Sequence, residues 1–399
     1  MRMKTIDSLG DIAGKRVLAR LDFNIPIRDG VIRDPGRIQA AIPTIERLVQ
    51  AGARVILMSH LGRPKGEKNP SLSLRPVADK LGELMECPIA FVDETTGKKA
   101  HDAVASLDNG DILLLENVRF DVRETSKDDE ERMSYARELA DLADAYVLDG
   151  FGVAHRKQAS VYDVASLLPH AGGLLLEKEI EALSKNALEN PVRPYTVVIG
   201  GAKVSDKLAV IDNLMKVADR ILIGGGMAYT FLKAQGKEIG TSLVQEEQID
   251  TVLRYLQEAE RNNVDIVIPV DTLVAPEFSM DSVPTVVSVD DIPDDQMGLD
   301  IGPETAKLYA DLIQDSHTVV WNGPMGVFEF PSFAHGTLAV AQAMENADAY
   351  TIVGGGDSAA AVRLLGCDET KFSHISTGGG ASLELLEGKT LPGLAALEG

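Results

Sequence analysis

Cysteine is nearly absent: Cys87 and Cys367 are the only two in 399 residues. They fall one in each half, at no metal-ligand spacing. That argues against a structural zinc site or a disulfide framework and fits two semi-buried thiols in a reducing compartment. Long apolar runs are missing too. No stretch reaches the roughly 18 residues of a membrane-spanning helix. The opening Met1–Asp7 has no apolar segment of the secretory type. These absences predict a cytoplasmic chain with no membrane partner. Basic charge is scarce, since 39 Lys and Arg against 61 Asp and Glu leave a net charge of −22. Phosphate backbones need a basic footprint, so no nucleic-acid partner is expected. Net charge does not describe local fields, and a small basic cleft stays compatible with it. The P-loop pattern GxxxxGK[ST] is also absent.

What is present is the profile of a globular protein, 45% apolar and 25% charged, long enough for about two domains. Short apolar runs alternate with amphipathic stretches. Arg16–Leu21, Arg54–Ser59, Asp111–Leu115 and Ala145–Leu148 read as buried strands of the first half. Thr196–Ile199, Arg220–Ile223, Asp265–Ile268, Thr318–Trp321 and Tyr350–Val353 do so in the second. Runs apolar on both faces suit parallel strands covered by helices. Helical patterns lie between them over 37–51, 129–144, 205–217, 245–262 and 303–315. The alternation predicts an α/β protein built from βαβ units. Gly172-Gly173 ends one block, 174–190 is a strong helix pattern, and Pro191 and Pro194 stop it. A helix joining two α/β domains is a natural hinge.

Ligands of open α/β sheets sit beyond the carboxyl ends of strands. In the first half those positions carry Asp22 and Asn24, His60 and Arg63, Arg119, and Asp149 through His155 and Arg156. Arg37 opens the first helix. Guanidinium forks match carboxylate and phosphate oxygens. Gathered arginines repel, by about 4 kcal/mol per pair at ~4 Å and an effective dielectric of ~20. A small polyanionic ligand supplies a reason to gather them. Taken singly, each arginine reads equally as a surface residue paired with an acid, and Asp22 as a cap.

In the second half the strand ends run into glycines: Gly200-Gly201-Ala202-Lys203, Gly224-Gly225-Gly226, Trp321-Asn322-Gly323 and Gly354-Gly355-Gly356-Asp357-Ser358. Glycines and helix N-termini let backbone N–H groups approach phosphates, which suggests a nucleotide crevice. Gly354-x-Gly356-x-x-Ala359 also fits a loose dinucleotide fingerprint. No acid stands about 20 positions on, however, and position 374 is His. Asp357 reads as a Mg²⁺ ligand bridging phosphates or as a helix N-terminal acid. Lys203 and Lys207, four apart, share a face if helical. They reach a transferring phosphoryl group or lie on a solvated face.

Taken together, these residues resemble the phosphoglycerate kinase family. The motifs are Leu21–Pro26 (LDFNIP), His60–Pro64 (HLGRP), Glu116–Phe120 (ENVRF), Gly200–Lys207 (GGAKVSDK), Trp321–Glu329 (WNGPMGVFE), Gly354–Ser358 (GGGDS) and Ser376–Lys389 (STGGGASLELLEGK). The resemblance covers nearly the whole chain. It implies a cytoplasmic monomer of two Rossmann-like domains with mainly parallel sheets joined by a hinge helix. The domains would be 1–173 for phosphoglycerate, with 385–399 packing back on it, and 191–384 for nucleotide, with 174–190 between them.

The implied reaction is reversible phosphoryl transfer between ATP and the carboxylate of 3-phosphoglycerate, giving 1,3-bisphosphoglycerate and ADP, the ATP-forming step of glycolysis. Asp22, Asn24, Arg37, His60, Leu61, Gly62, Arg63, Arg119 and Arg156 would bind the phosphoglycerate. Lys203, Lys207, Gly298, Asn322, Glu329, Gly355, Gly356, Asp357 and Ser358 would bind the nucleotide, with Asp357 holding Mg²⁺. Arg37, Lys203 and Lys207 would be catalytic. Ser376–Gly380 would serve as a hinge and phosphate contact. A carboxylate nucleophile is already ionised, so no general base is needed, and catalysis rests on positioning and charge.

Some positions depart from the family's usual residues. Leu148, Gly150 and Val153 replace Asn, Ala and Thr, and Gln158 replaces a His. Tyr229 stands where Asn is usual, and Glu304 where Lys is. A non-catalytic nucleotide-binding protein on the same fold is therefore a second reading. A nicotinamide dehydrogenase, suggested only by Gly354–Ala359, is a third.

Overall fold

Strand burial explains the architecture. The first-half runs Arg16–Arg20, Arg54–Met58, Ile112–Leu115 and Ala145–Leu148 are buried at almost every position. A strand buried on both faces needs helices above and below it, which parallel crossovers supply. The computed structural model describes residues 3–398, and these strands form a six-stranded parallel sheet in it. Its order is Ala90–Val92, Ile112–Leu115, Arg54–Met58, Arg16–Arg20, Ala145–Leu148, His170–Gly172. Val17 lies opposite Val55 on one side and Ala145 on the other. Helix Gly36–Gln50 buries Ile38, Ala41, Ile45 and Leu48, spaced three and four apart, in the same core as Val17, Val55 and Leu114.

The second half repeats the plan. Asp265–Val267, Arg220–Ile223, Tyr195–Ile199, Thr318–Asn322, Tyr350–Val353 and His374–Ile375 form a second all-parallel sheet in that order. Trp321, fully buried, lies in the core beneath it with Tyr309, Val319 and Val353. The expected α/β class with two mainly parallel sheets is therefore present. The strand readings agree within a residue or two at each end, where edges fray.

The parallel strands Ala90–Val92, His170–Gly172 and His374–Ile375 are not among those read from the sequence, and two further elements differ. A small antiparallel sheet, Thr285–Ser288, Asp271–Ala275 and Met297–Ile301, stands beside the second parallel one. Its edge strand is largely exposed and shows no apolar alternation. The helix expected over 205–217 is a 3-10 turn, Val204–Asp206, followed by an α-helix only over Leu208–Leu214. Lys203 has extended backbone there, so Lys203 and Lys207 do not share a helical face.

Compactness divides the chain into residues 1–179 with 390–399, and residues 180–389. The helical segment Leu174–Ile180 continues as a π-type turn over Glu181–Glu189, and the division falls inside it. The return to the first unit starts at Thr390, five residues after the expected 385. Helix Gly380–Leu386 stays with the second unit because it packs on Leu208–Leu214 and Glu181–Glu189.

One buried ion pair braces the segment after the Arg156 loop. Arg132, on helix Asp129–Ala140, donates from Nε to Asp163 Oδ2 at 2.6 Å, and both side chains are almost fully buried. Its other partner, Asp129, is 69% exposed. Losing one member of a buried pair strands a charge, at about 3–5 kcal/mol. An exposed pair contributes under about 1 kcal/mol. Urea unfolding should therefore show Asp163→Ala several-fold more destabilising than Asp129→Ala. Equal small losses would contradict the assignment.

Candidate active site

The first sheet reverses its direction of growth between Arg16–Arg20 and Ala145–Leu148. A crevice opens beyond such a switch point. Asp22 and Asn24 leave the first strand at this edge. Asp22 Oδ2 accepts from Arg37 Nη1 at 2.8 Å, and its Oδ1 accepts from the Asn24 N–H at 3.1 Å. Asn24 Oδ1 takes the Gly62 N–H at 2.9 Å, and the Gly62 carbonyl takes Arg119 Nη1 at 2.8 Å. Asp22, Asn24, Arg37, Gly62 and Arg119 thus form one hydrogen-bonded chain across three loops.

His60 sits at the centre, 3% exposed. Burial first, then the charges of Arg20, Arg119, Arg37 and Arg156, push its pKa well below the usual histidine value. Arg119 is itself pulled down to about 10, chiefly by burial and then by Arg20. Its Nε has no hydrogen-bond partner among the described residues. Arg37, Arg119 and Arg156 thus all act on the one buried imidazole. Arg156 is exposed, as is Arg63 on the loop after His60. Leu61 is buried, and its carbonyl accepts from Asn117 Nδ2 at 2.8 Å.

The sequence reading missed Arg20. It is fully buried in the first strand, donates to Ser160 Oγ at 2.8 Å and to the Leu21 carbonyl, and lies 3.2 Å from His60 Nδ1. Fully buried Glu124 accepts from the Ser160 hydroxyl and N–H, and burial raises its pKa against the pull of Arg20. The signal was available: a lone charge inside a run apolar on both faces has to be paired. Among the departing residues, Leu148, Val153 and Gln158 are buried. The Gln158 carbonyl accepts from Tyr162 N–H at 2.8 Å, so this residue caps the next turn. Asp149, also buried, is raised to about 7 by desolvation, and its Oδ1 takes the Leu176 N–H at 3.0 Å.

The second sheet reverses between Tyr195–Ile199 and Thr318–Asn322. The loops there meet backbone to backbone. Gly201 N–H donates to the Pro324 carbonyl at 3.0 Å. Gly225 adopts φ +70°, and a Cβ on it would stand 2.5 Å from the Gly201 carbonyl, so only glycine fits. A cavity of about 480 Å³ results. Gly201, Gly226, Gly298, Pro324 and Gly326 contribute to its walls, with Leu243, Leu299 and Val327 as apolar surface and Glu329 and Asp357 as charged groups. Asp357 is exposed in the first turn of helix Gly356–Leu364.

Lys207 donates to Asn322 Oδ1, and Asn322 Nδ2 donates to the Gly354 carbonyl at 2.7 Å. Burial lowers the Lys207 pKa, while Asp357, Asp206 and Glu387 act to raise it. Ser358, fully buried, accepts the Gly323 N–H at 2.7 Å. The structure thus joins Lys207, Asn322 and the Gly354–Ser358 turn, and leaves Lys203 exposed. Ser376 Oγ accepts from the Gly378 N–H at 3.1 Å, just before helix Gly380–Leu386. Among the described residues no group of three acidic, His or Cys side chains forms a metal cage, and no helix is long and apolar enough to cross a membrane. The carboxylates at this glycine-lined cavity, Glu329 and Asp357, are oxygen donors of the kind that suits a divalent ion brought in on phosphates.

The sequence model of phosphoglycerate kinase matches residues 6–389. Phosphoglycerate kinases of Streptomyces avermitilis and Bifidobacterium adolescentis are each 60% identical, over 99% of this chain and 100% of theirs. Phosphoglycerate kinase from Coxiella burnetii superposes with a TM-score of 0.90 at 40% identity, covering 99% of both chains. The Pyrococcus horikoshii phosphoglycerate kinase gives 0.84 at 32%, covering 99% of this chain and 98% of that one. A match along almost the entire sequence, on the same two-sheet fold, places this chain in the phosphoglycerate kinase family.

Proposed function

We propose that this chain transfers a phosphoryl group reversibly between ATP and the carboxylate of 3-phosphoglycerate, giving 1,3-bisphosphoglycerate and ADP as the ATP-forming step of glycolysis, and that it works as a cytoplasmic monomer. The observation that carries this reading is the convergence of Arg37, Arg119 and Arg156 on a neutral, buried His60. Such a cluster in so acidic a chain is relieved by a small polyanion. With Asp22, Asn24, His60 and Arg63, these arginines hold the phosphoglycerate. Leu61 and Gly62 supply the backbone that fixes Asn24, Asn117 and Arg119.

Lys203, Lys207, Gly298, Asn322, Glu329, Gly355, Gly356, Asp357 and Ser358 hold the nucleotide. Asp357 is the protein ligand for Mg²⁺, which when bound neutralises charge on the nucleotide phosphates. The substrate carboxylate needs no deprotonation. Arg37, oriented by Asp22, and Lys207, oriented by Asn322, stabilise charge on the transferring phosphoryl group. Transfer requires both ligands in one reacting complex. The reading therefore includes closure about the helical segment Leu174–Glu189, which excludes water.

ADP formation from Mg-ATP should depend on 3-phosphoglycerate, with hydroxylamine trapping the acyl phosphate. Arg37→Ala and Lys207→Ala should each lower kcat by about 10²–10³-fold. A folded protein that binds ATP without such turnover would instead support the non-catalytic reading.

The neutral imidazole has a pH consequence. The folded pKa of His60 lies below the unfolded value of about 6.5. Below that pH the unfolded chain holds a proton that the folded one lacks, so His60 lowers stability progressively as pH falls. In an NMR titration its midpoint should fall below the ordinary histidine value, and saturating 3-phosphoglycerate should raise it. A midpoint at or above the ordinary value in the free protein would contradict the cluster's electrostatics.

A further inference from the structure

The antiparallel strands beside the second sheet contain an irregularity at the cavity wall. Leu273 pairs with Asp300, but the next residue, Val274, pairs with Gly298. Leu299 is therefore the extra residue of a β-bulge, a device that re-aims a side chain. Leu299 and Gly298 both line the cavity. The Leu299 carbonyl also accepts the N–H of Val327, another wall residue, at 2.9 Å.

Tyr229 reaches this bulge from a different wall. It lies on helix Ala228–Ala234, just after Gly225 and Gly226. Its side chain is buried, and its hydroxyl is 2.6 Å from Thr272 Oγ1. The Thr272 hydroxyl donates its one proton to the Asp300 carbonyl at 2.8 Å. The Tyr229 hydroxyl must then be the donor in the first bond, so the two bonds form a directed relay. A Cβ on Gly298 would overlap the Tyr229 hydroxyl and ring. The tyrosine therefore fills the space behind the cavity floor and dictates glycine there.

We infer that Tyr229 is a positioning residue for the nucleotide: its hydroxyl, relayed through Thr272 to the Asp300 carbonyl, clasps the bulge that turns Leu299 into the cavity and fixes the Gly298 floor against the Gly225-Gly226 wall. The inference rests on the nucleotide reading of this cavity. Its apolar walls, Leu243, Leu299 and Val327, suit the nucleoside part of the ligand. Loosening the clasp leaves the phosphate-facing turn at Gly354–Ser358 intact, because that turn is held separately by Asn322 and Gly323.

The test is calorimetric titration of the full-length chain with ADP, with tripolyphosphate and with 3-phosphoglycerate. Tyr229→Phe removes the first bond of the relay, and Thr272→Val removes both, the acceptor for Tyr229 and the donor to Asp300. Tyr229→Phe should raise the ADP dissociation constant by about three- to tenfold, the effect of one hydrogen bond, and Thr272→Val by at least as much. The double variant should lose no more than Thr272→Val alone, because that variant already breaks the whole relay. Thr272→Ser, which keeps the hydroxyl, should bind ADP as the parent does. Tripolyphosphate and 3-phosphoglycerate should be unaffected throughout. If Tyr229→Phe does not fold, the Thr272 pair carries the same reading. ADP affinities within twofold of the parent in the variants that fold would overturn the clasp and leave the nucleotide reading standing. Equal weakening of ADP and 3-phosphoglycerate would also overturn it, by showing general loosening. A parent chain that binds no ADP would overturn both.

Discussion

Mutual repulsion among cations around one buried imidazole is the constraint on which the first unit depends. Arg20 lies inside a parallel strand, where an unpaired charge is prohibitive, and Ser160 and Glu124 exist around it to make burial tolerable. Glu124 shows the balance: burial drives its carboxyl toward protonation while Arg20 and Arg119 oppose that. Arg37 is tied back by Asp22, and Arg119 by a backbone carbonyl. Internal partners thus settle part of the positive charge. Arg156 is exposed, and Arg119 keeps an unpartnered Nε among the described residues.

The second unit solves a different problem with little charge. Its cavity is made where glycine loops approach one another so closely that side chains are excluded. Lys207 is a half-buried cation held by Asn322. A nucleotide polyphosphate brings a metal ion with it, so a site with carboxylates and glycine-loop N–H groups suits it better than another arginine cluster. The two units share one plan, a six-stranded parallel sheet that reverses its direction of growth, but they differ in strand order and in what stands at the strand ends.

That topology is why so much was legible in the sequence. Strands covered on both faces leave continuous apolar runs, so Ala145–Leu148, Arg220–Ile223 and Tyr350–Val353 were readable to the residue. The residues just after them then nominate themselves as site residues. Arg20 escaped because its run was read for hydrophobicity alone. The strand Thr285–Ser288 escaped because it is an exposed edge with no pattern to read. Lys203 and Lys207 do not share the helical face their spacing suggested, because a 3-10 turn lies between them. The link from Tyr229 to Gly298 joins residues about seventy apart through a bulge, and nothing local announces it.

The central claim is that each unit holds its own ligand: a phosphorylated acid on the arginine cluster, a nucleotide on the glycine loops. Hydrogen exchange read by mass spectrometry, with one ligand at a time, tests this directly. 3-Phosphoglycerate alone should slow exchange in the segments around Asp22–Asn24, His60–Arg63, Asn117–Phe120 and Gly150–Arg156. Mg-ADP alone should slow it around Gly200–Lys207, Gly224–Tyr229, Met297–Ile301 and Gly354–Ser358. Protection of the arginine segments by Mg-ADP alone, or of the glycine loops by 3-phosphoglycerate alone, would contradict the account.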